Sequence, residues 1–245
     1  MNKEEYIFGI HAVIEAIDAG KELDKVLIRT SRGTSDMMGD LRQRLTEAMI
    51  PIQYVPVEKL NSITKKNHQG VIAFLSEIQY SEIDFILPRV FEQGRVPLIL
   101  VLDGISDVRN FGAIARTAEC AGVDAIILPF KGSARITAEA IKTSAGALHS
   151  IPVCRHPDLV KAVRYLKDSG LKVFTASEKT NELVYSADLT LPTVIILGAE
   201  DTGVSERLKG LSDHSVAIPL SGKIRSLNVS VAAGILLFEA VRQRS

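Results

Sequence analysis

The chain has 245 residues, of which 46% are hydrophobic, and its 29 basic and 29 acidic residues give a formal net charge of zero. This length suits one large domain or two modest ones, and the hydrophobic fraction excludes a disordered chain. The charge balance argues against a generic nucleic-acid binder, although a local basic patch can coexist with zero net charge.

Targeting and redox signals are weak in this sequence. No apolar run reaches membrane-spanning length, and the charged N-terminus lacks the apolar core of a secretion signal, so we expect a cytoplasmic protein. The two cysteines, Cys120 and Cys154, have no metal-binding spacing. We interpret both as small core residues and expect no metal site.

The first 78 residues alternate helix and strand patterns. Apolar residues at helical spacing predict a helix over 9–19, and a second helix is predicted over 35–49 with Thr34 or Ser35 as its N-cap. Short apolar runs predict three strands, over 26–28, 52–55 and 70–75. A short helix is predicted over 57–62. We interpret residues 1–78 as a small α/β domain.

Residues 79–95 lack a clear period and contain Pro88 and Gly94, so a linker or a bridging helix is predicted there. Residues 96–245 then show a second α/β pattern, with strands predicted over 98–102, 125–128, 172–175, 194–197 and 216–218. These strands are continuous apolar runs, which suits a parallel sheet covered on both faces. Most are separated by helices, predicted over 111–121, 137–147, 157–168 and 229–242. The pattern predicts a doubly wound sheet with a ligand site at the carboxyl ends of its strands.

The predicted loop after the first of these strands carries polar residues but no dinucleotide-binding fingerprint. No G-x-G-x-x-G follows a strand anywhere in the chain, which disfavours a nicotinamide oxidoreductase. Instead, Asn110 is placed to cap a helix that begins near Phe111. Gly112 and Arg116 share a face of that helix, so the missing side chain at 112 is expected to leave room beside the guanidinium. A plain capped helix with a surface arginine explains this segment equally well.

Two further polar loops end predicted strands. In LGAEDTGVS, at 197–205, Glu200 lies in a turn flanked by glycines, and an ordinary solvated loop is again an equal interpretation. The last loop ends in Ser226, Leu227 and Asn228 and precedes the apolar run Val229–Leu237, which we interpret as a core helix. A serine or asparagine in this loop is expected to cap that helix.

Together the three loops resemble the three motifs of the SpoU family, also called TrmH, of RNA ribose 2′-O-methyltransferases. The matching residues are Asn110 and Arg116; Gly198, Ala199, Glu200 and Gly203; and Ile218, Pro219, Leu220, Ser226, Leu227, Asn228, Val229 and Ser230. GIHAV from residue 9 and HQGV at 68–71 are similar to the N-terminal domain of the subgroup that methylates a guanosine of large-subunit ribosomal RNA. The resemblance covers the whole chain. One departure is Asp201, which adds a negative charge near the expected RNA path.

The resemblance implies a small N-terminal α/β domain that binds the RNA substrate, a linker at 79–95 and a parallel-sheet SPOUT methyltransferase domain over 96–245. It also implies a deep C-terminal trefoil knot, a homodimer through the C-terminal domain, and S-adenosylmethionine as the cofactor. Six residues are implied to surround that cofactor: Leu197, Gly198, Ile218, Leu220, Ser226 and Leu227. No metal is required, because the sulfonium carbon is already electrophilic.

The resemblance further implies that Arg116 acts on the ribose hydroxyl, with Asn110, Glu200, Ser226 and Asn228 orienting the reacting groups. A guanidinium stays protonated in almost any protein site. We therefore expect Arg116 to stabilise developing alkoxide charge or to hold the adjoining phosphate, rather than to accept a proton.

The resemblance leaves the identity of the RNA open. A guanosine of 23S ribosomal RNA is our preferred substrate, and transfer RNA is the alternative within the same family. A non-catalytic RNA-binding or ribosome-assembly factor with this fold is the alternative from a different class, although the complete set of motif residues argues against it.

Overall fold

The computed structural model describes residues 5–30 and 36–245, and the chain divides into two compact units, Met1–Gln79 and Tyr80–Ser245. Both units are α/β, and the sheet of the second is parallel throughout. These features confirm the predicted fold class.

The first unit is built on a sheet with the strand order β1-β4-β2-β3, in which only the β2–β3 pair is parallel. Its elements are β1 (Tyr6–Phe8), α1 (Ile10–Asp18), β2 (Leu23–Arg29), α2 (Asp36–Glu47), β3 (Ile52–Val55), α3 (Val57–Ile63) and β4 (Val71–Leu75). Val13, Ile28 and Leu41 are fully buried in its core. The predicted cap residues Thr34 and Ser35 lie outside the described residues.

The second unit is built on a sheet with the strand order β10-β8-β9-β5-β6-β7. Its elements are α4 (Ile83–Glu92), β5 (Leu98–Asp103), α5 (Val108–Cys120), β6 (Ala125–Pro129), α6 (Ala138–Thr143), β7 (Val153–His156), α7 (Leu159–Asp168), β8 (Lys172–Ala176), β9 (Thr193–Gly198), α8 (Glu206–Lys209), β10 (His214–Val216) and α9 (Val229–Arg244). The central strands are apolar on both faces and fully buried, which is typical of a parallel sheet.

Helix α4 occupies most of the interval for which the sequence predicts a linker or a bridging helix. Pro88 lies inside this helix, where it removes one backbone donor. The helix forms because Ile83 and Leu87 join the core of the second unit, and that burial offsets the lost hydrogen bond.

Several boundaries differ from the sequence predictions. Strands β1 and β7 were not predicted, and β10 lies two residues earlier than expected. Helix α6 ends at Thr143 instead of continuing to 147, since Ala145 and Gly146 take left-handed conformations with φ of 52° and 88°. A separate 3₁₀ turn follows at Ala147–His149.

The two cysteines differ in their surroundings. Cys154 is buried, and burial, assisted by the charges of Glu82 and Asp84, raises the pKa of its thiol to about 12. Cys120 is exposed, so the prediction that it is a core residue is wrong. It is the last residue of α5, where the helix leaves the core.

Helix α9 is anchored at its C-terminal end by Arg244. The guanidinium donates hydrogen bonds to the carbonyl oxygens of Leu189 at 2.8 Å, Leu191 at 2.7 Å and Val96 at 3.0 Å. These carbonyls precede β5 and β9, so the helix is fixed against the amino edge of the sheet. None of the helices at 5–30 and 36–245 is both long and apolar enough to cross a membrane.

Candidate functional site at the carboxyl edge of the second sheet

The β5–α5 loop and the β9–α8 loop lie side by side because their strands are neighbours. Asp103 is the register partner of Gly198, and both residues end their strands. Carboxyl ends of parallel strands meet at one edge of a sheet, which is the usual position of a ligand site in this architecture. The structure therefore brings two of the three predicted motifs to the same edge.

Asn110, Glu200 and Asn228 form a hydrogen-bonded group, called here the amide–carboxylate cluster. Glu200 Oε1 accepts hydrogen bonds from Asn110 Nδ2 at 3.1 Å, from Asn228 Nδ2 at 2.8 Å and from the Val229 amide at 3.4 Å. Asn228 Nδ2 also donates to Asn110 Oδ1 at 3.0 Å. One carboxylate thus joins all three motifs.

The two polar atoms of the Asn228 side chain have different roles at the start of α9. Asn228 Oδ1 accepts hydrogen bonds from the Ser230 amide at 2.9 Å and from Ser230 Oγ at 2.6 Å, so Asn228 is the N-cap. Its amide nitrogen is left for the amide–carboxylate cluster. Asn228 therefore both begins the helix and fixes the position of Glu200.

Helix α5 begins earlier than the sequence predicted. It starts at Val108, and its N-cap is Asp107, whose Oδ1 accepts a hydrogen bond from the Asn110 amide at 2.7 Å. The prediction that Asn110 is the cap is therefore wrong. Since Asp107 satisfies the orphan donor, the Asn110 side chain is free to join the cluster.

Arg116 lies on α5, beyond the cluster. It is exposed and makes no hydrogen bond or ion pair with any residue in the described part of the chain. The space beside Gly112 does not serve it, because a Cβ at Gly112 would lie 2.7 Å from Thr143 Cβ and 2.9 Å from the Ala140 carbonyl oxygen. The expectation that Gly112 leaves room for the guanidinium is wrong: this glycine allows α5 and α6 to pack closely.

The β9–α8 loop turns back on itself at a position that only glycine can occupy. A Cβ at Gly198 would overlap the backbone of Gly203 and Val204. The turn is closed by a hydrogen bond of 2.8 Å from the Gly203 amide to the Ala199 carbonyl. Asp103 Oδ2 accepts a second one from the Ser205 amide, also at 2.8 Å. This role of Asp103 was not predicted, although a carboxylate directly after a buried strand was a visible signal.

A cleft beside the amide–carboxylate cluster contains about 950 Å³ of space when its open mouth is counted. All six residues predicted around a cofactor line this cleft: Leu197, Gly198, Ile218, Leu220, Ser226 and Leu227. Glu200 lines it as well. The structure also adds residues 176–179, which the sequence analysis missed. Their position at the carboxyl end of strand β8, on the same edge of the sheet, is the signal that could have identified them.

The described residues contain no group of three or more His, Cys, Asp or Glu side chains that could hold a metal ion. What the edge offers instead is a fixed carboxylate with two amides, a free guanidinium on a nearby helix and a half-open cleft. This arrangement can bind a small molecule of mixed polarity and orient a second substrate next to it.

Comparison with known proteins relates both units to RNA methyltransferases. Residues 97–238 match the model of the SpoU rRNA Methylase family, and residues 6–81 match the model described as RNA 2′-O ribose methyltransferase substrate binding. A protein of Staphylococcus saprophyticus assigned to the TrmH family of tRNA/rRNA methyltransferases is 32% identical over 243 residues. That match covers 99% of this chain and 97% of the relative.

Solved structures give the same result. The SpoU methyltransferase AviRb from Streptomyces viridochromogenes, solved with its cofactor AdoMet, superposes with a TM-score of 0.62 at 25% identity. The alignment covers 99% of this chain and 91% of AviRb. The A. aeolicus TrmH/SpoU tRNA modifying enzyme has a TM-score of 0.57 at 28% identity, covering 65% of this chain and 84% of the enzyme.

Proposed function

The chain belongs to the SpoU family of S-adenosylmethionine-dependent RNA 2′-O-methyltransferases, and we propose that its substrate is the ribose of a guanosine in 23S ribosomal RNA. The observation that carries this proposal is in the first unit. The two segments similar to the ribosomal-RNA subgroup contact each other there, since Gln69 Oε1 accepts a hydrogen bond of 3.1 Å from the Ile10 amide. We propose the cytoplasm, where bacterial ribosomal RNA is made, as the site of the reaction.

S-adenosylmethionine is the cofactor, as the resemblance implied, and it supplies an electrophilic methyl group on a sulfonium centre. The cleft suits a cofactor of mixed polarity, because buried apolar residues such as Leu197 and Val216 line it together with polar residues such as Ser226. We propose that backbone groups near Gly198, Ile218 and Leu227 hold the adenosine part. Leu197, Leu220 and Ser226 complete the walls.

We propose that the amide–carboxylate cluster orients the ribose whose hydroxyl is methylated, with Ser226 at the mouth of the cleft. The partner-free guanidinium of Arg116 then stabilises negative charge that develops on the 2′-oxygen, or holds the adjoining phosphate. Arg116 keeps its own proton, so the hydroxyl proton leaves late or passes to water. A 2′-hydroxyl also separates RNA from DNA at such a site.

Two substitutions test the role of Arg116. Arg116→Ala is expected to lower the single-turnover rate by about 10²–10³, the effect of removing one oxyanion donor. Arg116→Lys should recover only part of that rate at every pH, because an ammonium cannot form the two-pronged contact of a guanidinium. Full activity in Arg116→Lys would exclude the two-pronged role.

We propose that the first unit selects the RNA through local contacts rather than bulk charge. Two hydrogen bonds of the buried His68 hold the loop before β4. His68 Nδ1 accepts one from the Gly70 amide at 3.0 Å, and His68 Nε2 shares the other with Asn61 Oδ1, also at 3.0 Å. Lys65 and Lys66 are exposed on this loop. Their joint replacement by alanine should weaken RNA binding and leave cofactor binding unchanged; unchanged RNA affinity would contradict this role.

We propose a homodimer formed through α9. Val231 and Phe238 are 51% and 49% exposed and one heptad apart, with Ile235 between them. Such an apolar stripe opposite the buried face of a helix suits a self-complementary interface. The trefoil knot implied by the resemblance stays a prediction, and an experimental structure traced through residues 177–245 checks it.

Transfer RNA is the second candidate substrate. It is favoured by the likeness to the A. aeolicus enzyme, whose described substrate is tRNA, but that likeness covers only 65% of this chain. A purely RNA-binding role is disfavoured by the complete amide–carboxylate cluster beside a formed cleft.

The experiment that tests the proposed substrate supplies the purified protein with methyl-labelled cofactor and equimolar 23S ribosomal RNA or total tRNA. Label should enter the ribosomal RNA, in a 2′-O-methylated guanosine. If label enters only tRNA, the substrate is tRNA and the ribosomal-RNA proposal is wrong. Binding of both RNAs without label transfer would favour the non-catalytic role.

A further inference from the structure

The turn that follows β8 is held on both sides. The Ser177 amide donates to the Val216 carbonyl at 3.0 Å, which ties the turn to β10, and the Lys179 amide donates to Ser177 Oγ at 3.1 Å. Glu178 lies between these two bonds and lines the cleft. Its backbone is therefore fixed while its side chain is exposed.

The Glu178 carboxylate is not neutralised within the chain. It makes no hydrogen bond or ion pair with residues 5–30 and 36–245. Lys209, a cation on the same cleft wall, is paired with Glu206 at 2.7 Å. That pairing, with a smaller contribution from Lys179, lowers the pKa of Glu206. Glu178 thus lines the cleft with a carboxylate that has no protein donor.

Sheet order places the turn that contains Glu178 beside the loop that contains Glu200. Strand β8 ends two residues before Glu178, strand β9 ends two residues before Glu200, and the two strands are neighbours at the usual spacing of about 4.8 Å. The cleft floor beneath Glu178 is apolar, formed by Ala176, Leu197 and Val216. An adenine ring on this floor would place its ribose between the floor and the amide–carboxylate cluster, because the ribose connects the ring to the sulfonium centre and the reaction would occur at the cluster.

We propose that Glu178 is a cofactor-binding residue whose carboxylate accepts hydrogen bonds from the ribose hydroxyls of S-adenosylmethionine. A carboxylate at a strand end accepts from a ribose hydroxyl in the same way in dinucleotide-binding folds. The proposal rests on the cofactor and is independent of the RNA target. The competing role for the same carboxylate is an ion pair with the ammonium group of the methionine part.

Two ligands separate these roles in calorimetric titrations of the full chain. S-adenosylhomocysteine contains both the ribose and the amino-acid part, whereas 5′-methylthioadenosine keeps the ribose and lacks the amino acid. Glu178→Ala should weaken the binding of both ligands by about tenfold, as expected for losing hydrogen bonds to a charged acceptor. Glu178→Gln, which keeps one acceptor oxygen, should lose less.

Asp201→Asn is the matched control, because it removes one negative charge from a different loop that lines the same cleft. It should change both affinities by less than about twofold. Equal weakening by Asp201→Asn would assign the effect to overall charge and overturn the proposal.

Three other results also overturn it. A loss confined to S-adenosylhomocysteine would assign Glu178 to the ammonium group, and unchanged affinity for both ligands would remove it from the site. Wild-type protein that binds neither ligand would overturn the cofactor site itself. Because Glu178 has no partner in the fold, thermal unfolding of its variants should match that of the wild type.

Discussion

Asn228 and Glu200 are joined by a hydrogen bond of 2.8 Å, donated by the same side chain that caps helix α9 through its oxygen. When the side-chain oxygen of Asn228 caps the helix, its side-chain amide nitrogen faces the Glu200 carboxylate. One residue therefore both caps the helix and holds the Glu200 carboxylate.

Asn228→Ser separates the two roles of this residue. Serine is as good an N-cap as asparagine, so the melting temperature should change by no more than about 2 °C. The donor to Glu200 is lost, and we expect methyl transfer to fall by at least about tenfold because Glu200 is no longer held. Parallel measurement of thermal unfolding and of single-turnover rate checks this. Asn228→Ala is the comparison, and it should lower both the melting temperature and the rate of methyl transfer. If Asn228→Ser transfers the methyl group at the wild-type rate, Asn228 acts only as an N-cap.

The sequence predicted the buried strands well and the close contacts poorly. Runs such as Leu98–Leu102 are apolar at every position, a pattern that few other structures produce. Helix α4 was obscured by Pro88, since its stability comes from tertiary burial that local propensity does not report. The amide–carboxylate cluster joins residues 28, 90 and 118 positions apart, and only the family resemblance anticipated that they meet.

The helical spacing of Gly112 and Arg116 gave a wrong prediction. Gly112 and Arg116 do share a helix face, but the space at Gly112 belongs to another helix, α6, which no helical period could reveal. Side-chain volumes from distant segments decide such positions.

Gly112→Ala should therefore destabilise the protein, although alanine favours a helix by about 1 kcal/mol over glycine. The added methyl group would lie 2.7 Å from Thr143 Cβ, and separating the two helices costs about 1–3 kcal/mol. Thermal unfolding should show a lower melting temperature. Gly210→Ala is the matched control, because its nearest neighbour would be the Glu206 carbonyl oxygen at 3.5 Å, and it should be tolerated. Equal stability of the two variants would contradict the close packing of α5 and α6.

Glu239 should make the stability of the protein depend on pH in the acidic range. It is buried on α9, and hydrogen bonds from Arg242 and then Gln243 lower its pKa to about 2 from an ordinary 4.5. A lowered folded-state pKa contributes stability above the unfolded-state pKa, and that contribution is lost as the pH falls from about 5 to 2. Glu239→Gln should melt about 2–4 °C below the wild type at pH 7. The difference should shrink as the pH approaches 2, and a difference that is constant with pH would contradict the assignment.

Phe238→Glu tests the proposed dimer. A carboxylate at one end of the exposed α9 stripe should convert a two-chain species into a single chain in sedimentation experiments, because an unpaired charge buried in the interface is costly. Phe85→Glu is the control: Phe85 is 69% exposed, but it lies on α4. It should leave the mass unchanged. A wild-type protein that sediments as one chain at micromolar concentration would contradict the interface.

We propose that this chain methylates a ribose of ribosomal RNA with Arg116 at its active site. The most direct test of this proposal maps 2′-O-methyl groups across 23S ribosomal RNA from cells with the wild-type gene, without the gene, and with Arg116→Ala. We predict that one guanosine is methylated in the first strain and unmethylated in the other two. Identical methylation of 23S ribosomal RNA in all three strains would contradict the account.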